Sequence, residues 1–334
     1  MEANFEALNQ FLGLLIDQDD LHIYKKLNEG VFYEVHKAET LADQTCCCVR
    51  FRKPDTMISA NDQKRFFHEI LYQHSLKHET ILPLIGYVIP KTGTDKYAII
   101  TDYMPHASLN ELINLVNTGS PPENWETIKA INIFGIAAGM TYIHQHNLIH
   151  CDLKPEHILL DENYYPKIGG FNSSICTKPA SQDNIPEKNG TLLYKAPEII
   201  EESDYTNKID VYSYAILLYK LLTLKEPFYE CGRNISTYKL MRNVVNGKRP
   251  CTENLRIPSS LLELINLCWA PSPDERPSFK KIVKEFMDHK SEIFNLDLIN
   301  KEEFDNYIEK ATKDLDIPND DDIVYETVIA GIQP

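Results

Sequence analysis

The sequence of 334 residues contains no apolar run that approaches the roughly 18 residues needed to cross a membrane as a helix. The run near its start, Phe11–Ile16, is too short for the core of a signal peptide and follows acidic rather than basic residues. We therefore expect a cytoplasmic protein with no membrane partner. The sequence has fewer basic than acidic residues, with 34 lysines and arginines and 49 aspartates and glutamates, so its formal net charge is −15. That balance argues against nucleic acid as a partner.

The cysteines contain no Cys-x-x-Cys pair, and three of the eight are consecutive, Cys46–Cys48. Because consecutive residues of a strand point to opposite faces, this run is a poor metal cage and a poor disulfide framework. We interpret the cysteines as small buried thiols of a protein in a reducing compartment.

Four regions with different hydrophobic patterns follow one another along the chain. Residues 1–20 have apolar residues at helical spacing, so this N-terminal extension is predicted to be a short docking helix. Residues 21–104 have mainly the pattern of strands, and residues 105–290 mainly that of helices. Residues 291–334 form a tail with 12 acidic residues and 3 lysines, predicted to hold one helix and a solvated end. An interaction tail is the alternative.

The individual elements follow from the spacing of apolar residues. The predicted strands are Leu21–Leu27, Val31–Ala38, Thr45–Phe51, Leu84–Ile89, Tyr97–Thr101, Ile158–Leu160 and Pro166–Ile168. The predicted helices are Asp62–Lys77, Trp125–His146, Lys208–Leu222, Ser260–Cys268 and Ser278–Met287, with one more in the tail through Phe304, Tyr307, Ile308, Ala311 and Leu315. This order indicates an α+β fold with a small β-rich lobe and a larger α-helical lobe. A cleft between two lobes is a common place for a ligand.

A series of short motifs occurs between residues 21 and 290. They are NEGVFYEV at 28–35, CCVR at 47–50, Glu69, HCDLKPEH at 150–157, GFN at 170–172, GT at 190–191, APE at 196–198, DVYS at 210–213, CW at 268–269 and RPSF at 276–279. In this order and spacing they resemble the eukaryotic protein kinase family. The KPE, CW and RPSF phrases are similar to its tyrosine-kinase-like group of Ser/Thr kinases. The resemblance implies a bilobal protein-kinase fold.

The family transfers the γ-phosphoryl group of ATP with the help of two magnesium ions. By the resemblance, the two residues that hold these ions correspond to His157 and Gly170 in this sequence. Glycine offers no side-chain oxygen, and neutral imidazole is a poor ligand for magnesium. Loss of a single preorganised electrostatic group costs ~10²–10³ in rate, so loss of both should abolish ordinary turnover. We therefore do not expect magnesium to bind well.

Other family positions are also replaced. Asn28 and Tyr33 stand in place of two glycines of the phosphate loop, and Tyr33 either folds into the cleft or is a solvated hairpin residue. Arg50 replaces the family lysine and is expected to pair with Glu69, which keeps the helix docked.

The resemblance also implies roles for further positions. Asp152 and Lys154 stand at the catalytic positions and are interpreted as loop-forming residues. The positions implied for nucleotide binding are Leu27, Gly30, Val35, Cys48, Arg50, Glu69, Thr101, Asp102, Met104 and Leu159. The positions implied for structure are Glu198, Asp210 and Arg276.

These replacements predict a pseudokinase that acts by binding a protein partner, such as an active kinase, and whose cleft accepts ATP without metal. Two alternatives stay open. One is an active but atypical Ser/Thr kinase with Asp152 as base. The other is a nucleotide-independent scaffold whose cleft is closed by Tyr33 and Arg50.

Overall fold

The computed structural model describes residues 13–30, 32–53, 60–91, 96–177, 192–232, 235–253, 255 and 257–317. The strands are β1 (Leu21–Glu29), β2 (Tyr33–Thr40), β3 (Cys46–Arg52), β4 (Leu84–Val88), β5 (Ala98–Asp102), β6 (Leu148–Ile149), β7 (Ile158–Leu160), β8 (Pro166–Ile168) and β9 (Ile175–Cys176). The α-helices are α1 (Ala60–Ser75), α2 (Leu109–Asn117), α3 (Trp125–Gln145), α4 (Pro197–Ile200), α5 (Lys208–Thr223), α6 (Thr237–Val245), α7 (Ser259–Cys268), α8 (Phe279–Asp288), α9 (Lys290–Ile293) and α10 (Lys301–Thr312). The predicted α+β fold with two lobes is confirmed.

The small lobe is an antiparallel sheet with strand order β1-β2-β3-β5-β4, packed against α1. Side chains alternate between the two faces of β3, as its half-buried position requires. Val49 and Phe51 enter the apolar cluster on one face. Phe66 and Ile70 of α1 pack in the cluster on the other face. Because Arg50 lies between Val49 and Phe51 on β3, its side chain points to the opposite face of the sheet, which packs against α1.

The large lobe is built around α3 and α5, which are buried along most of their length. Both helices are apolar on all sides, which is the pattern of a helix inside a core. Tyr214 of α5 donates a hydrogen bond to the backbone oxygen of Ile133 in α3 at 2.7 Å. The core of this lobe therefore lies between these two helices.

The lobes are joined next to the cleft by the segment between α1 and β4. Leu82 N–H donates to the backbone oxygen of Ile168 in β8 at 2.9 Å, and Ile168 N–H donates to Thr80 at 2.7 Å. Helix α1 also packs against the short turn Phe171–Ser173. The backbone beside Gly170 is therefore held from both lobes.

The N-terminal extension is described from residue 13 onward. Leu15 forms a parallel bridge with Tyr87 of β4, and backbone hydrogen bonds of 3.0 Å flank it on both sides. Leu15 is thus extended, so the helical interpretation was wrong for this residue. The other apolar residues of the predicted helix, from Phe5 to Leu12, lie outside the described residues.

Helix α10 of the tail packs on the large lobe. Phe304, Tyr307 and Ala311 are buried in the same core as α3, and the ring centroids of Phe134 and Phe304 lie 6.2 Å apart. The backbone oxygen of Ala311 also accepts a hydrogen bond from His78 Nε2 at 3.0 Å. The described part of the tail is therefore a packed element. The acidic run at 320–322 lies outside the described residues, so the interaction-tail alternative stays open.

Gly135 leaves room for the tail helix to approach α3. A Cβ atom at this position would lie 2.2 Å from the hydroxyl of Tyr307 and 2.7 Å from Cγ of Pro166. Gly135→Ala is therefore expected to lower the free energy of unfolding by about 1–3 kcal/mol, despite the helix propensity of alanine. Urea unfolding followed by circular dichroism measures the loss.

The matched control repeats the substitution in a Tyr307→Phe background. The nearest remaining atom of residue 307 is then Cε1 at 3.0 Å, so the loss should be smaller. The same loss in both backgrounds would show that the hydroxyl of Tyr307 is not the obstacle.

Candidate functional site

The side chains of Arg50 and Glu69 connect β3 to α1 on the wall of the cleft. Arg50 Nη2 lies 2.5 Å from Oε1 of Glu69. Glu69 is fully buried, and its Oε2 has no hydrogen-bond partner among the described residues. The ion pair expected from the sequence is present, and it fixes α1 against the sheet through one carboxylate oxygen.

Tyr33 covers this ion pair from the side of the phosphate loop. The guanidinium carbon of Arg50 lies 4.7 Å from the centroid of the Tyr33 ring. Arg52 Nη1 donates to the Tyr33 hydroxyl at 3.3 Å, and its Nη2 lies 3.3 Å from Asp62. Tyr33 is half-buried, and burial raises the pKa of its hydroxyl. Of the two orientations left open by the sequence, the structure has the tyrosine folded inward.

The loop after β6 is held by one buried carboxylate. Asp210 accepts hydrogen bonds from the backbone N–H groups of His150 at 2.8 Å and Cys151 at 2.9 Å. His144 Nε2 makes a third contact with it at 2.9 Å. Cys151 has a φ of +65°, which is uncommon for a non-glycine residue. The two backbone hydrogen bonds to Asp210 hold the loop in this conformation.

Asp152 and Lys154 face each other at the entrance of this loop. Lys154 Nζ donates to Asp152 Oδ2 at 2.8 Å, and both side chains are largely buried. Burial acts to raise the pKa of Asp152, but His157 and Lys154 outweigh it, and the pKa lies below its ordinary value. Asp152 is therefore an ionised group that is already paired.

The two predicted metal positions lie against each other. Gly170 has a φ of +80°, and a Cβ atom there would lie 2.5 Å from Cγ and 2.6 Å from Nδ1 of His157. His157 Nδ1 lies 2.9 Å from the backbone oxygen of Asp152. Since a carbonyl oxygen only accepts, Nδ1 carries the proton of the neutral ring. The imidazole of His157 thus fills the space that a side chain at position 170 would need.

The opposite end of the cleft is formed by neighbouring strands. Val35 on β2 pairs with Arg50, and Cys48 on β3 pairs with Thr101 on β5. Burial raises the pKa of the Cys48 thiol to about 11, so this thiol is protonated and behaves as a small apolar group. Leu159 on β7 forms a β-bridge with Ser108, the residue before α2.

The other four predicted nucleotide positions lie on β1, in the turn after it and where β5 ends. Gly30 N–H donates to the backbone oxygen of Tyr33 at 2.8 Å and closes the turn between β1 and β2. Leu27 is exposed on β1. Asp102 and Met104 lie where β5 ends, and burial raises the pKa of Asp102. Most of the predicted nucleotide positions therefore lie on β1, β2, β3, β5 and β7.

A comparison with protein families identifies the fold of this chain. The model of the protein kinase domain matches residues 21–290. The chain belongs to the protein kinase family. The kinase match covers the whole sheet and the large lobe up to α8, and helix α10 lies beyond it.

Several curated kinases are similar to this kinase domain. It is 31% identical to the dual specificity protein kinase shkB of Dictyostelium discoideum, over 81% of this chain and 40% of the relative. It is 30% identical to receptor-interacting serine/threonine-protein kinase 4 of Mus musculus, over 83% of this chain and 35% of the relative. The chain therefore matches less than half the length of these relatives.

A third relative is receptor-interacting serine/threonine-protein kinase 2 of Bos taurus, with 34% identity over 64% of this chain and 41% of the relative. The homologues of this kinase domain thus include Ser/Thr kinases.

The kinase domain keeps a buried ion pair in its large lobe. Arg276 donates to both carboxylate oxygens of Glu198, at 2.6 and 3.0 Å, and also to the backbone oxygen of Ala270 at 2.9 Å. Both residues are buried. A bidentate pair of this kind is among the stronger charge-assisted contacts.

The residues at the two metal positions of this kinase domain do not fit magnesium. The ion prefers carboxylate, carbonyl and water oxygens. The structure instead has a neutral imidazole packed over a glycine. Among the described residues, no group of three or more His, Cys, Asp and Glu side chains has the arrangement of a metal site.

None of the helices in the described part of the kinase chain combines the length and apolar character needed to span a membrane.

The stability of the kinase domain should fall in acid because of His157. Burial lowers its pKa from 6.5 to about 4. The unfolded chain therefore takes up this proton more readily than the folded chain between pH 6.5 and about 4, so stability falls as the pH falls through this window. We expect a loss of about 2 kcal/mol from this group by pH 4.5. Urea unfolding at a series of pH values measures it.

The variant His157→Asn should lose less stability over the same range, since asparagine does not titrate. If the free energy of unfolding depends on pH in the same way for the parent and the variant, His157 does not contribute to the loss of stability in acid.

Proposed function

We propose that this protein kinase domain is catalytically inactive or very weak and that it acts by binding a protein partner. The observation that carries the proposal is the imidazole of His157 in the side-chain space of Gly170. A replacement at only one of the two metal positions would leave the residue at the other position available to bind the ion. Here the residue at one metal position fills the space of the other, so both are lost as a unit.

The size of the defect supports inactivity. One lost preorganised electrostatic group costs ~10²–10³ in rate, and the loss of both metal holders corresponds to roughly 4 kcal/mol or more. Ordinary kinases turn over at ~1–100 per second and depend on these ions to neutralise the phosphates. Asp152 and Lys154 neutralise each other at 2.8 Å and so offer no net charge in place of a metal.

The retained contacts support a binding role. Glu198–Arg276, Asp210 and Arg50–Glu69 hold the large lobe, the loop after β6 and helix α1 in place. A domain that keeps these contacts presents ordered lobe surfaces without needing phosphoryl transfer. By similarity to the tyrosine-kinase-like group, the partner we propose is another protein, such as an active kinase, in the cytoplasm.

A phosphotransfer assay tests the proposal. The full chain is incubated with γ-labelled ATP, Mg²⁺ or Mn²⁺, and casein as a general acceptor, beside the variant Asp152→Asn. We expect incorporation at the level of the variant, at least ~10²–10³ below an ordinary kinase. Glu309→Ala, at an exposed position on α10, is the matched control for a lost carboxylate. Turnover that disappears only in Asp152→Asn would instead establish an active atypical Ser/Thr kinase.

A nucleotide-independent scaffold is the second candidate, and the stacking of Tyr33 on Arg50 favours it. The first proposal allows the cleft to accept ATP without metal, whereas the scaffold does not. Thermal unfolding with ATP, with and without Mg²⁺, separates the two. A clear increase in Tm that is independent of metal would exclude the scaffold, and no increase under either condition would favour it.

A further inference from the structure

A cavity of about 670 Å³ lies between helix α10, the turn that joins β7 to β8, and the end of β5. This volume is within the range of ligand pockets in proteins. Two predicted nucleotide positions, Asp102 and Met104, line the cavity, whereas none of the positions on β1, β2 or β3 does. One wall is α10, which lies beyond the part of the chain that the kinase family model matches. The cavity is therefore separate from the phosphate end of the cleft.

The lining of this cavity is strongly acidic. It contains six carboxylates and two lysines, so its formal net charge is −4. The carboxylates belong to Glu79, Asp102, Asp161, Glu162, Glu302 and Glu303. They come from the segment before β4, the end of β5, the turn after β7 and the first turn of α10. The fold, and not a single acidic run of the sequence, therefore brings these charges together.

Only part of this charge is neutralised within the described chain. Lys167 Nζ lies 2.8 Å from Oε1 of Glu79 and 3.6 Å from Oδ2 of Asp161. Three of the other carboxylates form no ion pair among the described residues, namely those of Asp102, Glu162 and Glu302. Burial raises the pKa of Asp102, because its ionised form loses solvation. A cation in the cavity would therefore be stabilised by carboxylates that lack a counter-ion.

Two tyrosines give the cavity an aromatic surface beside these carboxylates. The ring centroids of Tyr165 and Tyr307 lie 4.9 Å apart, and both residues line the cavity. The Tyr165 hydroxyl donates to Oε1 of Glu303 at 2.9 Å and so orients that carboxylate. A guanidinium group binds carboxylates through two N–H groups at once and also packs on aromatic rings, whereas an ammonium group is a compact, strongly hydrated charge. The lining therefore suits arginine better than lysine.

We propose that this cavity is the docking site for an arginine-rich segment of the protein partner. The complementary charge of the lining is the reason for this choice. Glu162 and Glu302 are exposed on separate elements, so an extended segment with several guanidinium groups reaches more carboxylates than a single cation does. The inference rests on the proposed function in that it takes the ligand to be a protein, and it names the chemistry by which that protein is recognised.

Fluorescence anisotropy of fluorescein-labelled hexa-arginine tests the proposal on the full chain. We expect saturable binding that weakens as salt is added, and hexa-lysine should bind at least about threefold more weakly. Unlabelled spermine, a small polyamine, should displace hexa-arginine poorly. Absence of hexa-arginine binding would overturn the proposal, and equal binding of hexa-lysine would overturn the choice of arginine. Displacement by an equal concentration of spermine would assign the cavity to small polyamines instead of a protein segment.

Two double variants with the same change in charge separate the cavity from the acidic surface as a whole. Glu162→Gln with Glu302→Gln removes two exposed carboxylates of the cavity and should weaken hexa-arginine binding about tenfold. Glu263→Gln with Glu275→Gln, at exposed positions outside the cavity, is the matched control and should bind hexa-arginine as the parent does. An equal loss of affinity in both double variants would show that binding follows net charge alone, and the assignment of the cavity would then be wrong.

The phosphotransfer assay distinguishes a failure of this inference from a failure of the proposed function. Turnover by the parent would refute the proposed inactivity without changing its affinity for hexa-arginine. A parent that does not bind hexa-arginine would refute the docking site and leave both the inactivity and a binding role through another surface intact.

Discussion

Replacing Gly170 by aspartate and His157 by asparagine in the same chain is expected to make ATP binding depend on magnesium. The double variant should bind ATP about tenfold or more tightly with Mg²⁺ than without it, whereas the parent should show no such ratio. The new carboxylate and amide supply the oxygen ligands that the ion prefers. Asparagine also removes the imidazole that lies 2.5 Å from the Cβ position of residue 170. Isothermal titration with and without Mg²⁺ measures the ratio.

The single variants distinguish the steric effect of the His157 ring from the effect of the missing oxygen ligands. Gly170→Asp alone places its Cβ against the ring of His157, so it should be less stable than the parent and gain little from magnesium. His157→Asn alone provides one ligand and leaves glycine at the other position. The double variant Gly170→Ala with His157→Asn adds the same Cβ atom without the carboxylate at position 170 and is the matched control. If the double variant with aspartate binds ATP equally well with and without Mg²⁺, our account of the defect is wrong.

Breaking the buried pair in the large lobe should have the largest effect on stability. Arg276→Met removes the partner of Glu198 and leaves a carboxylate buried without its cation. We expect the free energy of unfolding to fall by about 3–5 kcal/mol. Urea unfolding of the purified variant measures the change.

Two controls show whether burial is the cause. Lys280→Met breaks a pair with Asp316 that is largely exposed in the same lobe, so it should cost at most about 1 kcal/mol. Replacing Glu198 together with Arg276 by apolar residues should cost less than Arg276→Met alone, because no charge is then left without a partner. A loss for Arg276→Met no larger than that for Lys280→Met would contradict this explanation.

The elements with strong hydrophobic periodicity were the easiest to predict from the sequence. Strands Ile158–Leu160 and Pro166–Ile168 have the predicted bounds, and the long helix ends one residue earlier than predicted. Helices α2 and α6 were missed. For α2 a signal was present, since Ser108 and Glu111 have the spacing of a capping box and Ser108 N–H donates to Glu111 at 3.2 Å.

The sequence was sufficient to predict which positions form the site, but it was not sufficient to predict how their side chains pack. Matching the motifs placed Gly170 and His157 at neighbouring functional positions and predicted the pair of Arg50 with Glu69. The sequence alone does not give side-chain orientation. It therefore did not show that the imidazole fills the space over Gly170 or that Tyr33 stacks on Arg50, since both depend on the rotamers of residues brought together by the fold.

Helix α10 lies past the end of the kinase match at residue 290, yet it supplies Phe304, Tyr307 and Ala311 to the core of the large lobe. The cooperative folding unit is therefore longer than the family boundary. A fragment trimmed at that boundary would bare the face of α3 around Phe134 to water, which favours aggregation. Recombinant production of this domain should accordingly extend at least to Thr312.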